Sequence, residues 1–75
     1  MIIELGDWSL VQNGNEYVKL FTKEQYNNVE DPIIQVYQGG DNGEWYLSMV
    51  DVAILNNGII AITSNIPFRA KVVVK

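Results

Sequence analysis

Apolar and polar positions alternate with a period of two over much of the chain, most clearly from residue 50 to residue 75. That stretch, VDVAILNNGIIAITSNIPFRAKVVVK, holds β-rich runs at 50–55 and 59–63 around Asn56-Asn57-Gly58, and a third at 69–74 after a Pro break. An Asn-Gly pair between apolar runs signals a hairpin, because both residues tolerate positive φ. A two-residue loop would set Leu55 opposite Ile60 and Val52 opposite Thr63, mixing polar with apolar partners. A three-residue loop, with Gly58 left-handed, pairs Ile54 with Ile60 and Val52 with Ile62 on one face. Ala53–Ala61 and Asp51–Thr63 then share the other. A one-residue slip turns a whole strand over, so the three-residue loop is the expected one.

The same pattern divides the rest of the chain. Residues 1–5 form a short strand ending at Gly6. Residues 7–12 and 16–21 flank Asn13-Gly14-Asn15, a second hairpin. A three-residue loop there puts Trp8 opposite Leu20 and Leu10 opposite Val18 inside, with Ser9 opposite Lys19 and Val11 opposite Tyr17 outside. Thr22-Lys23-Glu24-Gln25 has capping-box spacing, and Phe21 and Tyr26 stand where a hydrophobic staple would place them. Either one short helical turn or an irregular loop from 22 to 32 fits. Residues 33–37 read as a strand, and Gly39 to Gly43 as a turn into a long strand from Glu44. In that strand Trp45, Leu47 and Met49 share one parity, and Val50, Val52 and Ile54 the other. A bulge or bend near Met49 would keep both sets inward, as at a barrel bend or a sandwich corner. In the last strand Ala70, Val72 and Val74 face in while Arg69, Lys71, Val73 and Lys75 face out. The reading is one all-β domain over 1–75, a small antiparallel barrel or sandwich of six or seven strands with at most one short helical turn.

Size makes that packing demanding. Seventy-five residues lie near the lower limit for a self-sufficient core, and the chain has no cysteine to add a disulfide or a thiolate-bound zinc. Lys71 and Lys75 read as guards on an edge strand, while the apolar Ile2-Ile3 and 72–74 runs suggest a sheet finished by a neighbouring subunit. The net charge is −4, and three of five basic residues (Arg69, Lys71, Lys75) sit on the last strand. An acidic chain without a basic cluster is poorly suited to a phosphate backbone, so no nucleic-acid partner is expected. No apolar run reaches the ~18–20 residues of a membrane span. The opening MIIELGDWSL has neither a positive n-region nor a long apolar h-region, so cytoplasmic synthesis without a signal peptide is expected.

Candidate chemistry is sparse. With no His and no Cys, the commonest general base and the usual nucleophile pairs are missing. Gly39-Gly40 and Gly43 match neither phosphate-binding fingerprint. Glu30-Asp31 and Asp41/Glu44 are the nearest paired carboxylates, in turn-like stretches. Asp41-Asn42-Gly43-Glu44 is too short for a calcium loop and reads as turn formers. No enzyme activity, cofactor or metal is expected. The aromatics carry more information: Trp8 and Trp45 share parity with apolar neighbours and read as core, whereas Tyr17, Tyr37 and Tyr46 can line an outer face, where tyrosine suits protein or sugar contacts.

The C-terminal stretch from Asn57 to Val74, NGIIAITSNIPFRAKVVV, with the Gly-Glu-Trp-Tyr segment at Gly43 to Tyr46, resembles small β-structured bacteriophage virion accessory proteins. These are of the capsid decoration, head-fibre and tail-accessory kind. The resemblance spans about the last 30 residues and carries no functional residue across. It implies docking on a capsid or tail shell in symmetric copies and incorporation into a virion. The reading is therefore a non-enzymatic structural or interaction protein, with other protein subunits as partners in a homo-oligomer or shell. Tyr17, Tyr46, Arg69 and Lys71 are its candidate contact residues. Two alternatives stay open: a phage-encoded inhibitor of a host protein, and a carbohydrate-binding module stacking sugar on Trp45 and Tyr46.

Overall fold

A computed structural model describes residues 1–11 and 14–75. Among them the chain forms eight strands in two four-stranded antiparallel sheets. In chain order the strands are β1 (Ile2–Ile3), β2 (Ser9–Leu10), β3 (Tyr17–Phe21), β4 (Ile34–Gly39), β5 (Trp45–Leu47), β6 (Asp51–Ile54), β7 (Ile60–Ser64) and β8 (Ala70–Val74). The first sheet runs β1-β8-β4-β5 and the second β2-β3-β7-β6. They are not closed into a barrel, which settles the architecture as an open two-sheet sandwich. Two short 3-10 helices, Leu5–Asp7 and Lys23–Tyr26, lie in connections between the sheets.

The hairpin around Gly58 has the expected register, with Ile54↔Ile60, Ala53↔Ala61, Val52↔Ile62 and Asp51↔Thr63. Gly58 N–H donates to the Leu55 carbonyl and Leu55 N–H to the Ile59 carbonyl, both at 2.8 Å, which closes a three-residue loop. Gly58 has φ +83°, where a side chain is strained. A Cβ there would also meet the Lys23 chain at 2.7 Å. The Thr22–Gln25 capping box is present, Thr22 N–H donating to Gln25 Oε1 at 2.8 Å. Phe21 and Tyr26 on either side of it are both buried. Tyr26 Oη donates to the Gly58 carbonyl, so this helical turn seals the hairpin loop from below.

The N-terminal hairpin departs from expectation. Ser9 pairs with Val18 and Leu10 with Tyr17, one residue out of the expected register. Val11 N–H donates to the Glu16 carbonyl, where the three-residue loop would have set Val11 opposite Tyr17. Asn13 of the expected loop lies outside the described residues. The consequence follows from alternation: Tyr17 and Phe21 share the face of Ser64 and Ile60, while Val18 and Leu20 take the outer face opposite Thr63 and Ala61. Pairing with β7, the best-buried strand of the second sheet, fixes this register by sending Phe21 and not Leu20 inward.

The long strand expected from Glu44 does bend at residues 48–50. It leaves the first sheet after β5 and enters the second as β6, a sandwich corner, which raises the strand number from seven to eight. The bend does not bring both apolar sets inward, since Leu47 and Met49 remain exposed. The last strand faces as read, with Ala70 and Val72 buried and Arg69 and Lys71 exposed. It is not an edge, however: β8 lies between β1 and β4. The terminal strands pair with each other from Ala70 to Val72, so Lys71 guards no open edge.

Between the sheets lies one core, in which Ile3, Ala70, Val72 and Val36 of the first sheet meet Phe21, Ile60 and Ile62 of the second, with Trp8, Tyr26 and Phe68 from the connections. Trp8 Nε1 donates to the Phe68 carbonyl at 2.7 Å and its ring stacks tilted on Phe68, centroids 5.1 Å apart. No buried side-chain polar atom among the described residues lacks a partner. Such a small core tolerates little loss. Ile62→Ala is expected to cost about 2–5 kcal/mol, and Gly58→Ala about 1–2 kcal/mol through its left-handed backbone. Urea midpoints at constant slope measure both; a Gly58→Ala variant as stable as the parent would contradict the loop geometry.

Candidate interaction surface

Two surfaces gather many of the exposed side chains that can contact a partner. The first is the outer face of the first sheet. Cross-strand pairing places Ile2, Lys71, Tyr37 and Leu47 in one row across all four strands. In the neighbouring row Gly39 pairs with Trp45 and donates its N–H to the Arg69 carbonyl at 2.9 Å. Because Gly39 has no side chain, the Trp45 ring lies over it, 3.3 Å from where a Cβ would be. Arg69 sits over the Trp45 ring at 5.0 Å and Lys71 at 5.8 Å. Arg69 also meets Glu4 at 3.5 Å, in an exposed pair that adds little stability.

Trp45 is thus held on the outer face under two cations and is not a core residue. The vacancy left by Gly39 draws the indole there, a cue present in the Gly39…Trp45 spacing but meaningful only once β4 and β5 are paired. Of the sequence-derived contact residues, Arg69 and Lys71 are brought together here. Tyr46 is not: it pairs with Gln38, on the opposite parity to Trp45, and is 61% exposed at the edge of the sheet. Tyr17 is half-buried against the core of the second sheet, not on an outer face. Trp45 and Tyr46 therefore point to opposite sides of β5 and cannot form one stacking platform for a sugar. Tyr37 is half-buried on the outer face, donating to Gln35 Oε1 at 3.4 Å.

The second surface is the side of the sandwich where the chain turns from β5 to β6. Both strands are sheet edges, and every residue of β6 is exposed. Along this side stand Tyr46, Leu47, Met49 (96% exposed), Val52, Ile54 and Leu55. Asp51 is the only charged residue from 45 to 58. The opposite side is built differently. Its edge strands β1 and β2 have two residues each, joined by a 3-10 turn whose Glu4 and Asp7 form a capping box. Leu5 and Leu10 are exposed there too, but the backbone ladder is too short to pair with another strand.

Shallow hollows open on the surface, one of about 510 Å³ between Ile34, Val36 and the 47–52 corner. Among the described residues no group of three or more His, Cys, Asp or Glu is placed to hold a metal ion. No helix there is long and apolar enough to cross a membrane. No family model, curated protein or solved structure matches the chain.

The cation cover on Trp45 is worth roughly 0.5–1 kcal/mol at an exposed site. Arg69→Gln should therefore lower stability by no more than that amount while raising acrylamide quenching of tryptophan fluorescence. Trp8 is buried, so any change reports Trp45; unchanged quenching would contradict the placement of Arg69.

Proposed function

We propose that the chain is a non-enzymatic structural or interaction protein that works through protein–protein contacts along its β5–β6 side. One observation carries the reading: a bent, exposed edge, rich in apolar side chains and nearly free of charge, on a domain whose other edges are two residues long. Natural sheets usually guard such an edge with Lys, Pro or a covering loop, and an unguarded one is a site for another chain. The basic outer face, Arg69 and Lys71 around Trp45, is a second contact region suited to an acidic partner. The finer proposal is a virion accessory subunit of the decoration, head-fibre or tail kind. It rests on the resemblance of the last 30 or so residues to such proteins.

Quantitative mass spectrometry of particles purified from the source of the gene tests the finer proposal. The expected result is a fixed, symmetric copy number per particle, unaffected by salt washing. Absence from particles, together with a one-to-one complex with a single host protein, would replace it with the inhibitor reading.

A further inference from the structure

The β5–β6 side has a geometry that specifies its occupant more closely, and the following inference rests on the interaction reading above. Leu55 N–H is bonded to Ile59, so alternation along the ladder directs the backbone groups of Ala53 and Asp51 toward β7 as well. Val52 and Ile54 therefore present their N–H and C=O groups outward, to the open edge. Their side chains lie on the core-facing side, next to Ile62 and Ile60.

We propose that this edge pairs with the same edge of a second copy, antiparallel, about a two-fold axis perpendicular to the sheet through Ala53. With that axis Val52 falls opposite Ile54 of the second copy, and Ile54 opposite its Val52. Each outward N–H then meets an outward C=O, giving four backbone hydrogen bonds. Apolar side chains meet on the core-facing side, as they already do across β6 and β7. Ala53 meets its own equivalent on the outer side, in a pair that its small side chain fits without clash. Asp51 falls opposite Leu55, so like charges are not opposed. Neighbouring registers fail one of these conditions. Moving the axis half a residue puts core-facing side chains opposite outer ones, and moving it to Val52 leaves the outward groups of Ile54 facing Val50 beyond the strand end.

The area is also adequate. At roughly 100 Å² each, the six exposed apolar side chains of this side supply about 600 Å² per partner, which matches the ~1,200 Å² total at the lower end of specific interfaces. The assembly closes at two: the pairing is isologous, and the opposite edge of each sandwich is too short to extend the sheet. The result is a continuous eight-stranded sheet with both basic outer faces left free.

Light scattering across a concentration series should give twice the 8.5 kDa chain mass. Ala53→Lys, which places like charges on the axis at an exposed site, should raise the dimer dissociation constant at least tenfold with an unchanged β-sheet spectrum. Leu20→Lys on the outer face of β3 should leave it unaltered. The chain has no cysteine, which permits an independent check. Paired residues of this type are about 4.5 Å apart between Cα atoms, within disulfide reach. Ala53→Cys should therefore form a covalent dimer with oxidised glutathione, and Leu20→Cys should not. A chain that remains at 8.5 kDa and does not cross-link through Ala53→Cys overturns the second-copy occupant. If Ala53→Lys still abolishes particle binding in that case, the interaction surface stands with a different partner. A dimer disrupted by Arg69→Glu but not by Ala53→Lys overturns the edge itself.

Discussion

The structure depends on one turn. Gly58, in a backbone conformation that other residues adopt at a cost, sets the length of the β6–β7 loop and with it the register of the second sheet. That register puts Ile60 and Ile62 at zero exposure in the centre of the core. It also determines which backbone groups of β6 are spent on β7 and which are left at the edge. The helical turn before β4 reinforces it, since Tyr26 bonds the Gly58 carbonyl and Lys23 packs against the glycine itself. Folding information, core packing and the chemistry of the exposed edge thus pass through the same few atoms.

A chain this small buries a modest fraction of its surface, and the sandwich is arranged to spend its apolar residues unevenly. The termini close one side by pairing β1 with β8, and short strands with acids blunt it. The other side has edge strands of three and four residues and keeps its side chains apolar. If these residues served only solubility, the cheaper solution would be charge, as on the outer face around Arg69 and Lys71. Their exposure is the physical basis for reading the protein as a component that is completed by contact.

The Gly58 hairpin, the capping box at Thr22, the facing of β8 and a bend near Met49 were all legible in the sequence, but not whether that bend turned a barrel or a sandwich corner. Each rests on a local signal: turn chemistry, a three-residue spacing, or alternation within one strand. What was not legible depends on pairing between distant strands. The register of β2 on β3 could not be told from its own pattern, because both Leu20 and Phe21 are apolar and only β7 decides which turns inward. The position of β8 inside its sheet, which leaves Lys71 no edge to guard, follows from pairing with both β1 and β4. Trp45 looked like core because its neighbours are apolar; the space that holds it is made by Gly39 on another strand. For the candidate surfaces, Arg69 and Lys71 were within reach and Tyr46 does stand exposed, though on the β5–β6 edge and not on an outer face, while Tyr17 packs against the core of the second sheet through the same long-range effects.

Residue-resolved amide hydrogen exchange along β6, recorded first in dilute solution, tests the open edge and the Gly58 register together. The expected pattern is alternation, with Asp51, Ala53 and Leu55 protected and Val52 and Ile54 exchanging freely, the latter two gaining protection as concentration rises. The reverse alternation in dilute solution, with Val52 and Ile54 protected and Ala53 free, would mean a different register and would contradict both the core assignment and the open edge derived from it.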